Sequence, residues 1–161
     1  FSTNKSFNLG GLQMGTMVIP NGELKKKFDH MMEIAQTRLD TVFGTIAMEA
    51  AYTSCDDWMD QVVAYIGGNA EFVRDFAVRS IPEIKPVMPQ GTSLMWIDCR
   101  GLKLDSRELE RFLIHEAGLA VTQGYEFGEA GTGFIRICIA CRRDLLSSAM
   151  NQLSDAVKSR R

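Results

Sequence analysis

Gly124-Tyr125-Glu126-Phe127-Gly128-Glu129-Ala130-Gly131-Thr132-Gly133-Phe134-Ile135-Arg136-Ile137-Cys138-Ile139-Ala140-Cys141 is the stretch from which the rest of the sequence is best read. From Gly133 to Ala140 it alternates around Ile135, Ile137 and Ile139, the period-2 pattern of a strand with one apolar face. The loop from Gly124 to Gly133 holds four glycines, a density that points to tight turns or to backbone lying close to a ligand. They do not form G-x-G-x-x-G between a strand and a helix, so no dinucleotide site is read here. Arg136 shares the second face with Phe134 and Cys138. A mid-strand charge among apolar neighbours is expected to be partly buried, and a buried guanidinium needs an anionic or hydrogen-bonding partner. The pattern leaves two partners open. One is a carboxylate held by the planar fork of the guanidinium. The other is a structural ion pair with one of the chain's own acids.

The surrounding segments alternate strands and helices. After the stretch, Leu146, Met150, Leu153 and Val157 mark a final helix from about Asp144 to Val157. Before it, Leu119 to Thr122 reads as a short strand. Asp105 caps a helix with Glu108 three residues on, and Gly118 suits the position just past its end. Ser93 to Cys99, with Trp96 and Ile97, is a further strand. The order is β-α-β-β-α, one sheet against helices. Upstream, Pro82, Pro86 and Pro89 make an extended connector. Trp58, Val62, Tyr65, Ile66, Phe72, Val73 and Phe76 predict a long helix, with Ser54 as its N-cap and Asp57 completing a near capping box. Gly67-Gly68 interrupts its pattern and predicts a bend or a close neighbour. Two more helices are read from Glu23 (Leu24, Phe28, Met31, Met32, Ile34) and from Val42 to Tyr52. Pro20-Asn21-Gly22 is turn punctuation, and residues 1–20 read as irregular.

Composition bounds the function classes. The chain has 161 residues, 45% hydrophobic and 24% charged, enough for a core without staples. Eighteen basic and 20 acidic side chains give a net charge of −2, which offers no electrostatic reason for a nucleic-acid partner. Lys25-Lys26-Lys27 is then a solvated helix face. No apolar run approaches the roughly 18 residues of a membrane span. The four cysteines are scattered, as in a cytosolic protein. Cys138 and Cys141 form C-x-x-C, but an odd separation on a strand points the sulfurs to opposite faces, and no second pair or nearby histidine completes a zinc site. His30 and His115 sit on separate predicted helices, and no metal site is expected.

Lys5 lies in Ser2-Thr3-Asn4-Lys5-Ser6-Phe7-Asn8-Leu9-Gly10-Gly11-Leu12. Small hydroxyl residues before it and glycines after it would let backbone approach a phosphate. A lysine becomes a nucleophile when burial or a neighbouring cation lowers its pKa; otherwise it is a solvated surface charge.

Taken together, these stretches resemble the C-terminal part of fold-type I enzymes dependent on pyridoxal 5′-phosphate (PLP), within the aminotransferase class I/II superfamily. Ser2 to Leu12 looks like the family's Ser-x-x-Lys-x-Phe-Asn-x-x-Gly-Leu motif, whose lysine forms the Schiff base with PLP. Gly124-Tyr125-x-Phe127-Gly128-x-x-Gly131-x-Gly133-Phe134-x-Arg136 looks like the motif ending in the arginine for the substrate's α-carboxylate. The subgroup it resembles most is the MalY/PatB-type cystathionine β-lyase, a C–S lyase. The resemblance implies an α/β, PLP-dependent transferase-like fold: the end of the large domain, linking helices and an α+β small domain. Residues 1–54 would be the tail of the large PLP-binding domain. Residues 55–161 would be a linking helix and the small domain.

The same resemblance implies Lys5 as the catalytic, cofactor-holding lysine, Ser2 as a contact to the cofactor phosphate, and Arg136 as the holder of the substrate carboxylate. The implied activity is β-elimination giving pyruvate, ammonia and a thiol, with an aminotransferase as the alternative and a non-catalytic α+β interaction domain as a third reading. A small-molecule amino-acid substrate is implied, with its side chain left open, in a cytoplasmic, homodimeric parent. The resemblance spans less than half of the family's usual length, and residue 1 is Phe with no signal peptide after it. The chain therefore reads as a fragment, expected to be inactive alone. Gln13 stands where many aminotransferases carry a phosphate-binding arginine. Cys138 and Cys141 stand at the places of an expected Asn and Pro, and Leu39-Asp40-Thr41-Val42 replaces an expected Ser-Pro element.

Overall fold

The computed structural model describes residues 1–37 and 41–160. They form two compact units, Phe1–Val62 and Val63–Arg161. The first unit is helical: α1 (Thr3–Ser6), a 3₁₀ turn (Gly10–Leu12), α2 (Gly22–Ile34), α3 (Val42–Ser54) and the start of α4 (Asp56–Ser80). Asn21 caps α2, its Oδ1 accepting from the Leu24 N–H at 3.0 Å. Thr41 Oγ1 caps α3 through the Gly44 N–H at 3.1 Å and donates to the Leu12 carbonyl at 3.2 Å. Gly44 is obligatory there, because a Cβ would strike Thr41 Oγ1 and the Met14 side chain. Of Leu39-Asp40-Thr41-Val42, the first two lie outside the described residues.

Two expectations for this unit change. Ser54 is not an N-cap but the last residue of α3, which runs past Tyr52. The break is the single residue Cys55, whose carbonyl accepts from Met59 N–H, so the expected Ser54–Asp57 capping box has no room to form. The apolar positions of α2 are helical but not core. Leu24, Met31 and Ile34 are exposed, and no residue of α2 is buried.

In the second unit α4 runs unbroken through Gly67-Gly68. Gly68 admits a close neighbour: a Cβ there would lie 3.4 Å from the Arg143 guanidinium. The sheet comprises β1 (Lys85–Val87), β2 (Leu94–Asp98), β3 (Thr122–Gln123) and β4 (Phe134–Cys138), ordered β1-β2-β4-β3 and antiparallel throughout. The proline-containing connector thus contributes an unanticipated edge strand, a position where Pro86, lacking an N–H, is tolerated. Asp105 and Glu108 close the capping box of α5 (Ser106–Arg111), which continues into a π turn at Phe112–Glu116. Gly118 follows with φ +66°, where glycine pays no Cβ penalty. α6 (Arg143–Lys158) closes the chain. Its Leu146, Met150, Leu153 and Val157 join Val73, Ala77, Met95, Ile97, Phe112, Leu113, Ile135 and Ile139 in one core.

A buried amide ties α4 to the end of β4. Asn69 is fully buried; its Nδ2 donates to the Ile139 and Cys141 carbonyls at 2.7 and 2.9 Å. Its Oδ1 accepts from Arg143 Nε at 2.7 Å. The Arg143 N–H donates to Tyr65 OH at 2.8 Å, and its guanidinium lies 4.8 Å over the Phe72 ring.

The strand reading of Cys138 and Cys141 holds only for the first. β4 ends at Cys138, and Cys141 lies beyond it, its Sγ 3.9 Å from the Cys138 carbonyl. All four cysteines are free. Among the described residues no group of three or more His, Cys, Asp or Glu could hold a metal, and no helix is long and apolar enough to cross a membrane. Burial pushes the Cys99 thiol up to about 12, whereas Cys138 is exposed. Because the thiolate is the reactive form, iodoacetamide near pH 8 is expected to alkylate Cys138 first and Cys99 only after denaturation. Peptide mass mapping reads this out, and early labelling of Cys99 would contradict the core described.

Candidate active site

Arg136 lies mid-strand on β4, opposite Trp96 of β2 and Thr122 of β3. As its pattern implied, Ile135 and Ile139 on the other face are buried, and Arg136 is half-buried. Its guanidinium carbon sits 4.5 Å over the centroid of the Phe127 ring. Trp96 meets Phe127 edge-on at 5.5 Å and stacks on Phe134 at 5.7 Å. Arg100 covers Phe134 at 4.8 Å.

The two arginines on this aromatic surface differ in one respect. Arg100 is bidentate to Asp98, Nε to Oδ1 at 2.9 Å and Nη2 to Oδ2 at 2.7 Å, and this hydrogen-bonded guanidinium holds the Asp98 carboxyl below its ordinary value. Among the described residues no carboxylate pairs with Arg136. Among the described residues its partner is the Phe127 ring, which accepts none of the fork's N–H donors as a carboxylate would. The structural ion pair left open by the sequence pattern is absent among these residues.

The glycine-dense loop serves turn geometry. It folds as two 3₁₀ turns, Gly124–Phe127 and Glu129–Gly131. A Cβ on Gly124 would strike the carbonyls of Gly131 and Phe134, and one on Gly131 would strike the Gly124 carbonyl. The loop therefore closes backbone on backbone and returns Phe127 over β4. Tyr125 is turned away; its OH donates to Glu110 Oε2 at 2.9 Å, which pushes its pKa up. Sequence reasoning missed the pairing of Phe127 with Arg136. The residues were in view, but only the loop's closure brings positions nine apart together.

In the other unit, α1 places Ser2 and Lys5 on one turn. Ser2 caps it, Oγ accepting from the Asn4 N–H at 3.1 Å and donating to the Met14 carbonyl at 3.1 Å. Lys5, in the last turn of the helix, has an exposed side chain and no partner among the described residues. Thr3 Oγ1 and Asn4 Oδ1 are buried without a hydrogen-bond partner among the described residues, and buried polar atoms left so are costly. Phe7 anchors the segment, stacked on Trp58 at 5.8 Å and edge-on to Tyr52 at 6.0 Å. A Cβ on Gly11 would meet nothing within 4 Å, so that backbone lies open. Gln13, exposed, takes a left-handed φ of +51°.

The profile of the aminotransferase class I and II family matches residues 2–153. The chain belongs to this family. Among solved structures, cystalysin from Treponema denticola, which contains a pyridoxal 5′-phosphate cofactor, superimposes with a TM-score of 0.95 at 33% identity. That match covers 99% of this chain and 41% of cystalysin. Cystathionine β-lyase PatB of Bacillus subtilis (strain 168) is 26% identical over 154 residues, 96% of this chain and 40% of PatB. Protein MalY of Escherichia coli (strain K12) is 29% identical over 159 residues, 98% of this chain and 41% of MalY. The fold is that of fold-type I aminotransferases and C–S lyases, and the chain spans about two fifths of the length of the curated family members it matches.

Proposed function

We propose that this chain is part of a PLP-dependent enzyme acting on amino acids, a β-C–S lyase of the cystathionine β-lyase type. The observation that carries the reading is Arg136, a half-buried guanidinium on an aromatic surface with no protein carboxylate beside it among the described residues. Such a fork suits a ligand carboxylate held by two parallel bonds. Membership of the aminotransferase class I and II family and the likeness to cystalysin, PatB and MalY support it.

The residues around Lys5 fit the cofactor. Among the described residues, Lys5 presents an amine without a partner, Ser2 a hydroxyl three residues before it, and Thr3 and Asn4 buried oxygens without a hydrogen bond. Ser2 is the proposed phosphate contact. Its proton is now donated to the Met14 carbonyl, so donating to phosphate means exchanging that bond. When bound, PLP supplies an electron sink for negative charge developing at the substrate Cα. Lys5 Nζ would hold the cofactor and, as a free amine, would take the Cα proton of the substrate. Arg136 fixes the α-carboxylate and so orients the bond to be broken; positioning of this kind lowers barriers by several kcal/mol. In the lyase reaction the Cβ–S bond would break and a thiolate would leave, and one water would convert the remaining three-carbon fragment to pyruvate and ammonia.

The reading extends to the organisation of the parent: residues 1–54 as the tail of the large PLP-binding domain, residues 55–161 as linking helix and small domain. It also extends to a cytoplasmic homodimer, for which four free cysteines accord with a reducing compartment. The aminotransferase alternative shares Lys5 and Arg136 and draws on the family itself. The test loads the full-length enzyme with PLP, reduces it with borohydride and maps the label. The expected label is on Lys5 alone, and a label spread over Lys25, Lys26 and Lys27 would sink the assignment. Pyruvate release from L-cystathionine, set against keto-acid exchange, separates lyase from aminotransferase.

A further inference from the structure

We propose that Phe127 is a positioning residue for Arg136, aiming the carboxylate-binding fork through a π face instead of an acidic partner. This rests on the reading of Arg136 as the substrate-carboxylate holder. A guanidinium held by a carboxylate has its donors spent on that carboxylate, as Arg100 spends its Nε and Nη2 on Asp98. A guanidinium stacked on a ring is attracted through its face, by the ring quadrupole, and keeps its in-plane N–H donors for a ligand. Arg136 has its guanidinium carbon 4.5 Å from the Phe127 ring centroid and, among the described residues, no carboxylate on its donors.

The ring is itself held. Trp96, the β2 residue in register with Arg136, meets Phe127 edge-on at 5.5 Å and is fixed from its other side by Phe134 at 5.7 Å. The turn ending at Phe127 is set by Gly124 and Gly131, which touch backbone to backbone. Phe127 is itself 53% exposed, so it contributes little to the core, and its ordered place is explained by what it carries. The loop's glycines and the Trp96 indole thereby act on the fork through one side chain.

The experiment uses the full-length, PLP-loaded enzyme and two probes that bind without turnover by the lyase route. One is 2-aminoisobutyrate, which has an α-carboxylate but no Cα hydrogen. The other is isopropylamine, the same skeleton without the carboxylate. Dissociation constants come from the change in cofactor absorbance, and their ratio reads carboxylate recognition alone. Phe127→Leu, which keeps apolar volume but removes the π face, is expected to weaken 2-aminoisobutyrate about 3- to 30-fold, the span of cation–π contacts from exposed to desolvated. Isopropylamine binding stays unchanged, and Phe127→Tyr restores the wild-type ratio. Arg136→Ala is expected to abolish the preference. If Arg136→Ala abolishes it while Phe127→Leu leaves it intact, the role given to Phe127 is wrong and the reading of Arg136 stands. If Arg136→Ala leaves the preference intact, the reading of Arg136 falls and the inference with it. Equal weakening of both probes by Phe127→Leu would mean a merely structural ring and would also overturn the proposal.

Discussion

Lys5→Ala is expected to lower turnover by the full-length, PLP-loaded enzyme by about 10³-fold or more, because in the proposed function one amine would both hold the cofactor and move the Cα proton, and proton transfer by a positioned base alone is worth about 10² to 10⁴. The fold should not register the change. Lys5 is exposed and makes no ion pair or hydrogen bond through its side chain among the described residues, so thermal unfolding of the cofactor-free protein should shift by no more than about 0.5 kcal/mol. Steady-state rates and a melting curve together check it. A variant that keeps more than about a tenth of wild-type turnover would remove Lys5 from the proton-moving role.

Asn69→Ala should have the largest effect on stability. The amide is fully buried and satisfies two carbonyls and the Arg143 guanidinium at once. Truncation strands those groups, at about 1–3 kcal/mol for each buried one. Arg143 regains some compensation from water, so a total near 3 kcal/mol is expected, roughly 6–12 °C in melting temperature for a domain of this size. Asn69→Asp is a sharper control. It keeps the acceptor for Arg143 and the shape, but loses both donors and sets a carboxylate against two carbonyls; it should be no more stable than the alanine variant. A loss under about 1 kcal/mol in both variants would mean that α4 and the end of β4 are not joined as described.

How legible the molecule was in its sequence varies with the range of the interaction involved. Local signals read well. The Asp105–Glu108 capping box, the position of Gly118 past its helix, the strand around Ile135 and Ile139, and the α6 stripe are each set by neighbours within a turn or two. Features decided at longer range were misread or missed. β1 exists because Lys85–Val87 pairs with Trp96–Asp98, and nothing in a proline-containing connector announces such a partner. Ser54 has the chemistry of an N-cap, yet α3 runs through it. The stripe of α2 declares a helix, but burial requires a facing surface, and no described segment covers Leu24, Met31 or Ile34. At the site, strand alternation was enough to single out Arg136 as unusual. The choice between ion pair and open fork needed the tertiary fact that Phe127, not an acid, lies beneath it.

The two edges of the sheet bear on how this protein behaves when concentrated. One edge is β1, three residues long with Pro86 at its centre, and the other is β3, two residues long. Proline removes a donor from the first and brevity leaves few free backbone groups on the second, both common ways of denying a template to an incoming strand. The second unit should therefore resist ribbon-like self-association, despite a β4 whose Phe134-Ile135-Arg136-Ile137-Cys138 run, if ever freed from between β2 and β3, carries the apolar, β-branched character of an aggregation-prone segment.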